Sequence, residues 1–369
     1  MYYYLMHTSD QAHRVIFIDL MRAIAVLQMV QGHTIDVLLA PDLRTTELPA
    51  FAVWYFLRGM TAPIFMFTAG TVFTYLFKSV NKPFTKNYRV KKGIRRAFLL
   101  IFLGYLLRYP TWKIFDFSDV TPDKWQLFIS VDVLQLIGFS LLILLMILFI
   151  VEKFKLNYTA TFIVISTFVF IASPFIEAIN WISIFPAPIA AYFYSGSGSL
   201  FPLFPWSGYV IAGGVLGSYL AQNPLVFKTS RFSKLLAIFG GAFTLVAILS
   251  ETILRALQVQ IIDPQSEPNT IFYRIGFVLL LTALVSYISL RVDKMPQIII
   301  LAGRNTLLIY IVHLIILYGS AWTPGINLLW GYSFSGWQSF FAALLMITLM
   351  TLMVMLIHKF KIRNKELVT

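Results

Sequence analysis

The chain contains no cysteine. That excludes disulfide frameworks, thiolate nucleophiles and cysteine metal sites, and it leaves no redox mark of compartment. Charge is scarce as well. Only 12% of the 369 residues are Asp, Glu, Lys or Arg, about half of the ~25% usual in soluble domains. No P-loop, HExxH or dinucleotide fingerprint occurs, and no nucleophile-elbow serine. The five histidines are widely scattered, so no metal is expected. His7, His13 and His358 flank the apolar runs and carry no assigned role.

What is present is apolar length: 59% of residues are hydrophobic and 16% aromatic, with a mean hydropathy of +0.78. So much apolar surface cannot be hidden inside a soluble core, so the excess faces lipid. The formal net charge of +13 could suggest nucleic acid, but the basic residues sit in short segments between apolar runs, as cytoplasmic loops do. A spanning helix needs roughly 20 apolar residues. Such runs fall near 15–40, 52–77, 94–113, 127–151, 158–178, 199–220, 234–256, 270–290, 297–319 and 335–358. The expectation is an all-α, polytopic integral membrane bundle of about ten transmembrane helices. It forms a single domain, 1–369, with polar tails at 1–14 and 359–369. The first run, from Val15, is too long and too interrupted by charge for a cleavable signal.

Connector charge gives the bundle an orientation. Lys78, Lys82, Lys86, Arg89, Lys91, Lys92, Arg95 and Arg96 follow the second run. Lys153 and Lys155 follow the fourth, Lys228, Arg231 and Lys234 the sixth, and Arg291 and Lys294 the eighth. Lys359, Lys361, Arg363 and Lys365 form the tail. Connectors 179–198 and 320–334 have no Lys or Arg, and 41–51 has Arg44 alone. Positive charge stays inside, so both termini are expected in the cytoplasm. The 78–96 run has two readings: a topology signal on anionic headgroups, or a seat for a cofactor's phosphates.

Polar residues inside these runs are costly and tend to mark function. The first run holds Asp19, Arg22, His33 and Asp36. Eleven residues at ~100° each return to nearly one direction after a rise of ~16 Å. Arg22 and His33 therefore share a helix face, with Arg22 nearer the cytoplasm and His33 in the outer half. Asp19 can pair with Arg22, and Asp36 can hold one nitrogen of His33 and leave the other as a base. Arg58, Asp132, Gln135 and His313 fall at outer depths, and Arg304 and Asn305 nearer the inside. Together they suggest a polar cavity; each is alternatively a helix-bracing group. Phe201–Gly208, with Trp206, is expected to start its helix with a bend or to anchor at the lipid interface. Glycines 213, 214 and 217 allow close helix approach.

Arg22-x10-His33 resembles the signature of the membrane acyltransferase-3 family. Ile18–Ala25 with Gly32–Asp36, Pro63–Gly70, Phe201–Gly208 and Gly303–His313 resemble the related heparan-α-glucosaminide N-acetyltransferase group. Ala23 stands where glycine is usual. The 41–51 loop has no histidine, so heparan-type specificity is not carried over. The resemblance implies a cytoplasmic acyl-CoA co-substrate, with no permanently bound cofactor, and acyl transfer to a glycan or lipid-linked acceptor outside. His33 would be the catalytic histidine and Arg22 its donor-side partner.

On this reading Asp19, Arg22, Arg304 and Asn305 serve acyl-CoA. His33 acts as general base or acyl carrier, oriented by Asp36. Arg58 or Asn305 holds the oxyanion. His313, Gln135, Asp132 and Trp206 line the acceptor cavity. Expected partners are acyl-CoA, the acceptor and membrane lipids, with a homodimer allowed and no nucleic acid. The expected location is a bacterial inner membrane. The rival readings are a transporter using the same groups as a substrate or proton path, and a non-catalytic scaffold.

Overall fold

The computed structural model describes residues 16–258, 263–292 and 295–366. The N-terminal tail with His7 and His13, and Lys294, lie outside the described residues, as does the side chain of Lys365. The described residues carry twelve α-helices of eight residues or more. They are α1 Ile16–Leu38, α2 Pro49–Lys78, α3 Tyr88–Leu107, α4 Pro122–Ile129, α5 Val133–Lys153 and α6 Tyr158–Glu177. α7 Leu203–Gln222, α8 Ser230–Ala256, α9 Pro268–Ser289, α10 Gln297–Arg304, α11 Thr306–Tyr318 and α12 Gly336–Glu366 follow. Among the described residues there is no named strand, only two isolated bridges.

Six units are long and apolar enough to cross a membrane: α2, α4–α5 together, α6, α8, α9 and α12. The pair α10–α11 makes a seventh if counted as one span, although it bends by 78°. The protein is therefore an integral membrane protein. α6, α8 and α12 turn residues such as Phe168, Phe175, Leu245, Ile253, Phe341 and Leu345 outward, as a lipid-facing ring does.

Helix α1 does not pass on hydropathy, and the packing explains why it is tolerated. It is contacted by α2, α9, α10, α11 and α12. Met21, Ala23, Ala25, Val26, Val30, Val37 and Leu38 are buried around its circumference. A helix shielded this way does not present Asp19, Arg22 or His33 to hydrocarbon, so the cost of a charge in lipid is avoided.

Helix α3 departs from the sequence expectation. Only part of the basic run is a connector: Lys82 and Lys86 lie between α2 and α3, whereas Arg89 to Arg96 form the first turns of α3. Asn87 caps the helix, its side chain accepting from the Arg89 N–H at 2.9 Å. The small residues Gly93 and Ala97 face inward and the Lys/Arg chains outward. The helix ends at Leu107, so 108–113, expected inside a span, is loop.

Glycines set the closest crossing, between α2 and α7. A Cβ on Gly70 would lie 1.8 Å from the Val210 carbonyl oxygen, and one on Gly213 2.0 Å from that of Phe67. Backbone cannot yield as a side chain can, so only glycine fits. The bend expected at the head of α7 is present, with Phe204 at φ −105°, ψ 125°. Trp206 behind it is buried, which excludes the lipid-interface anchor.

Replacing Gly213 by leucine should therefore separate α2 from α7. Overpacking of this kind costs about 1–3 kcal/mol or more. The expected outcome is a Tm drop of several degrees in detergent, against no change for Gly241→Leu, whose surroundings are open.

Candidate functional site

Two polar stations lie along α1, called inner and outer after the orientation expected from the connector charges, and both are completed by the broken helix α10–α11. At the inner station the Arg22 guanidinium donates to the Thr306 hydroxyl at 3.2 Å. Thr306 begins α11, immediately after the break. Asn305 makes that break. Its side-chain amide and its backbone N–H both donate to the Leu301 carbonyl, at 2.8 and 3.0 Å, which closes α10. Gly303 seats the end of α10 on α1, where a Cβ would lie 2.2 Å from the Asp19 carbonyl oxygen. Asp19 and Arg96 both lie within electrostatic reach of Arg22. Arg304, exposed at the end of α10, sits beside the same crossing. Asn305 therefore belongs to the Arg22 level and not to an oxyanion site around His33.

The outer station is built on His33. Its Nδ1 lies 3.2 Å from the Tyr318 hydroxyl at the end of α11. Its ring faces His313, with centroids 5.6 Å apart. Arg22 contacts residue 306 and His33 contacts residues 313 and 318, so α1 and α11 run in the same direction. Gly319, at φ +81°, ends α11, a left-handed position that glycine takes without strain. The loop beyond returns to cap α1. The Tyr332 and Phe334 N–H groups donate to the Val37 and Leu38 carbonyls at 2.9 and 2.8 Å. Those carbonyls have no donor left inside the helix, so the loop supplies one to each.

Asp36 does not orient His33. Its carboxylate accepts from Arg58 at 2.6 Å and lies 3.6 Å from Arg44. Three residues on a helix turn a side chain about 60° away from its predecessor's direction, and here that turn faces α2. The contact with His33 expected of Asp36 is made instead by the Tyr318 hydroxyl. Arg58 also spans Asp36 and Gly32, where a Cβ would meet its stem at 3.5 Å. Arg44, the lone basic residue of its loop, also rests on the Tyr332 ring, 4.7 Å from its centroid.

Asp132 is also paired. It accepts from Arg108 at 2.7 Å, and its other oxygen caps α5 at the Val133 N–H, 2.7 Å. Arg108 donates further to Ser130 at 2.7 Å. Asp36, Arg58 and Asp132 lie within electrostatic reach of the Tyr318 hydroxyl. Gln135 is fully buried, against Gly104 of α3, rather than lining open space. Trp206 lies under Arg274, 4.8 Å from the guanidinium to the ring centroid, with Tyr209 at 5.7 Å. No contact joins it to His33 among the described residues. The structure thus brings together His33, His313, Asp36, Arg58 and Asp132 at the outer station. Asp19, Arg22, Arg304 and Asn305 gather at the inner one, and Gln135 and Trp206 stand apart.

Three residues of the outer station carry no site role in the sequence reading: Tyr318, Arg44 and Arg108; Arg96 belongs to the basic run already read as a possible phosphate seat. Arg108 had a signal, since it is a charge inside the expected 94–113 run. Tyr318 had none, because its contact with His33 depends on how α11 packs beside α1. Among the described residues no group of three His, Asp or Glu side chains could hold a metal ion.

The profile of the heparan-alpha-glucosaminide N-acetyltransferase catalytic family matches residues 14–252. The chain belongs to that family. The match takes in Asp19, Arg22, His33, Asp36, Arg58 and Asp132, and stops before α9, so His313 and Tyr318 lie beyond it. No curated protein matches the chain. The family carries acetyltransferase chemistry, and both stations here have half their parts on α1, inside the matched region.

The outer ion pairs are testable apart from activity. The Arg108 and Asp132 side chains are 17% and 19% exposed, so removing one partner strands a half-buried charge. Arg108→Met or Asp132→Leu alone should lose about 1–3 kcal/mol. The double variant should lose less than the sum. Thermal unfolding of the four proteins in one detergent reads the coupling, and strict additivity would show that the pair contributes nothing.

Proposed function

We propose that this protein moves an acyl group, in the first place acetyl, from cytoplasmic acyl-CoA to a hydroxyl or amine of a glycan or lipid-linked acceptor on the outer side. One observation carries the reading. Arg22 and His33 share a face of the shielded helix α1, and each meets the same broken helix at its own level. Their separation of eleven residues is ~16 Å of helix, comparable to a pantetheine arm. The basic inner station, Arg22 with Arg96 and Arg304, suits the phosphates of the donor, because guanidinium binds phosphate bidentately. The thioester then reaches His33, held by Tyr318. His33 serves as base on the acceptor or as acyl carrier. Arg58 lies beside Gly32 and so near the reacting carbonyl, although Asp36 shares its charge.

The reading assigns ten spans, with α1, α3 and α7 crossing as well despite their polar content. Both termini face the cytoplasm, and the host is a bacterial inner membrane. The absence of native cysteine makes the topology direct to test. Single cysteines at Asp119 and Ser183 should react with an impermeant maleimide from outside, and one at Thr229 only after permeabilisation. Outside labelling at Thr229 would overturn the orientation.

The enzyme assay is acyl transfer from labelled acetyl-CoA by the purified protein in liposomes. His33→Ala should lower the rate at least about 10²-fold. Arg22→Gln should act mainly on the KM for acetyl-CoA, raising it about tenfold, as loss of one charge-assisted hydrogen bond does. Unchanged transfer in His33→Ala would remove His33 from the chemistry. The break at Asn305 favours one other reading, since transporters bind substrate at broken helices. Solute uptake with no acetyl-CoA turnover would select it.

A further inference from the structure

His313 has two ring nitrogens in different circumstances. Nδ1 lies 2.7 Å from the Ile309 carbonyl oxygen. A carbonyl only accepts, so Nδ1 carries the proton and donates. The neutral ring therefore has its lone pair on Nε2. That atom is buried and has no hydrogen-bonding partner, in a residue with 0% exposure. Buried polar atoms without partners are uncommon and ask for an explanation. The neighbouring rings are His33, at 5.6 Å and 42°, and Tyr310, at 5.8 Å and nearly edge-on.

The proposed reaction, on its acyl-carrier route, needs a second base. When Nδ1 of His33 donates to the Tyr318 oxygen, Nε2 holds the lone pair that attacks the thioester. Once that nitrogen carries the acetyl group, His33 has no lone pair left to accept a proton. The carboxylates nearby are engaged: Asp36 by Arg58 and Arg44, Asp132 by Arg108 and the Val133 N–H. His313 Nε2 is the uncommitted acceptor beside the acylated ring.

We infer that His313 is the base of the acceptor half-reaction, a deepening that rests on the acetyltransferase reading. In the first half, His33 Nε2 bonds to the thioester carbon, the carbon–sulfur bond breaks, and CoA leaves as the thiolate with the electron pair. In the second half, the acceptor oxygen or nitrogen bonds to the acetyl carbon. The carbon–Nε2 bond breaks, its pair returns to the His33 ring, and the acceptor's proton passes to His313 Nε2. That proton balances the thiolate released earlier. Tyr318 is the positioning residue for His33, as the Ile309 carbonyl is for His313.

The test separates the two halves. Exchange of labelled CoA into acetyl-CoA reads the first half and needs no acceptor. Net CoA release in the presence of glucosamine reads the second, counting transfer to sugar and to water alike. His313→Asn keeps an amide donor for the Ile309 carbonyl and removes the base, whereas His313→Ala removes both. The ratio of net release to exchange should fall about 10²-fold in both variants, as loss of a general base does. A ratio within about threefold of wild type in His313→Asn would overturn the inference and leave His313 a bracing residue. If the wild type turns over acetyl-CoA but exchanges no label, there is no acyl-His33 step and this division of labour falls, while the acetyltransferase reading stands. If the wild type turns over no acetyl-CoA, the parent reading itself has failed.

Discussion

The arrangement depends on the cost of placing charge in hydrocarbon. An ionised side chain facing lipid costs at least ~2.5–3.5 kcal/mol by insertion scales, and α1 carries Asp19, Arg22, His33 and Asp36 within one helix. The bundle meets this by surrounding α1 with five other helices. Polar cargo is thereby confined to one shielded helix, and the lipid-facing ring α6, α8 and α12 is left almost wholly apolar along its span. The site lies at α1 because other membrane-facing positions would expose such groups to lipid.

Shielding keeps lipid from Arg22 and His33 but brings no other polar group to them. The break at Asn305 does that. An unbroken helix over 297–318 would run past α1 with its backbone bonds satisfied internally. The bend instead places the start of α11 against Arg22 and carries His313 and Tyr318 up to His33. The close seat of Gly303 on the Asp19 carbonyl holds the break in register. One helix pair thus sets both stations and the distance between them.

Charge is also balanced locally at the outer station. Asp36 and Asp132 are each taken by arginine, which leaves the two imidazoles and the two tyrosines, Tyr310 and Tyr318, between the ion pairs. On the proposed reaction, proton transfer falls to histidine nitrogens rather than to these carboxylates.

Much of this was legible in the sequence. The apolar runs and the deficit of charge required a membrane helix bundle, because no other environment accepts that composition. The eleven-residue spacing put Arg22 and His33 on one face, a matter of helix geometry alone. The resemblance at Gly303–His313 drew attention to the late helix. Other features depended on which helices touch. Asp36 had two directions open to it, toward His33 or toward α2, and only the packing of α2 against α1 gave it to Arg58. Tyr318 reaches His33 because the bent helix α11 runs beside α1, a pairing that no local motif marks. Arg108 looked like part of a span until the capped start of α3 at Tyr88 moved its end back to Leu107. Local periodicity determines which side chains share a face. Which partner each one meets is decided by close packing between different helices, from 22 residues apart for Asp36 and Arg58 to 285 for His33 and Tyr318.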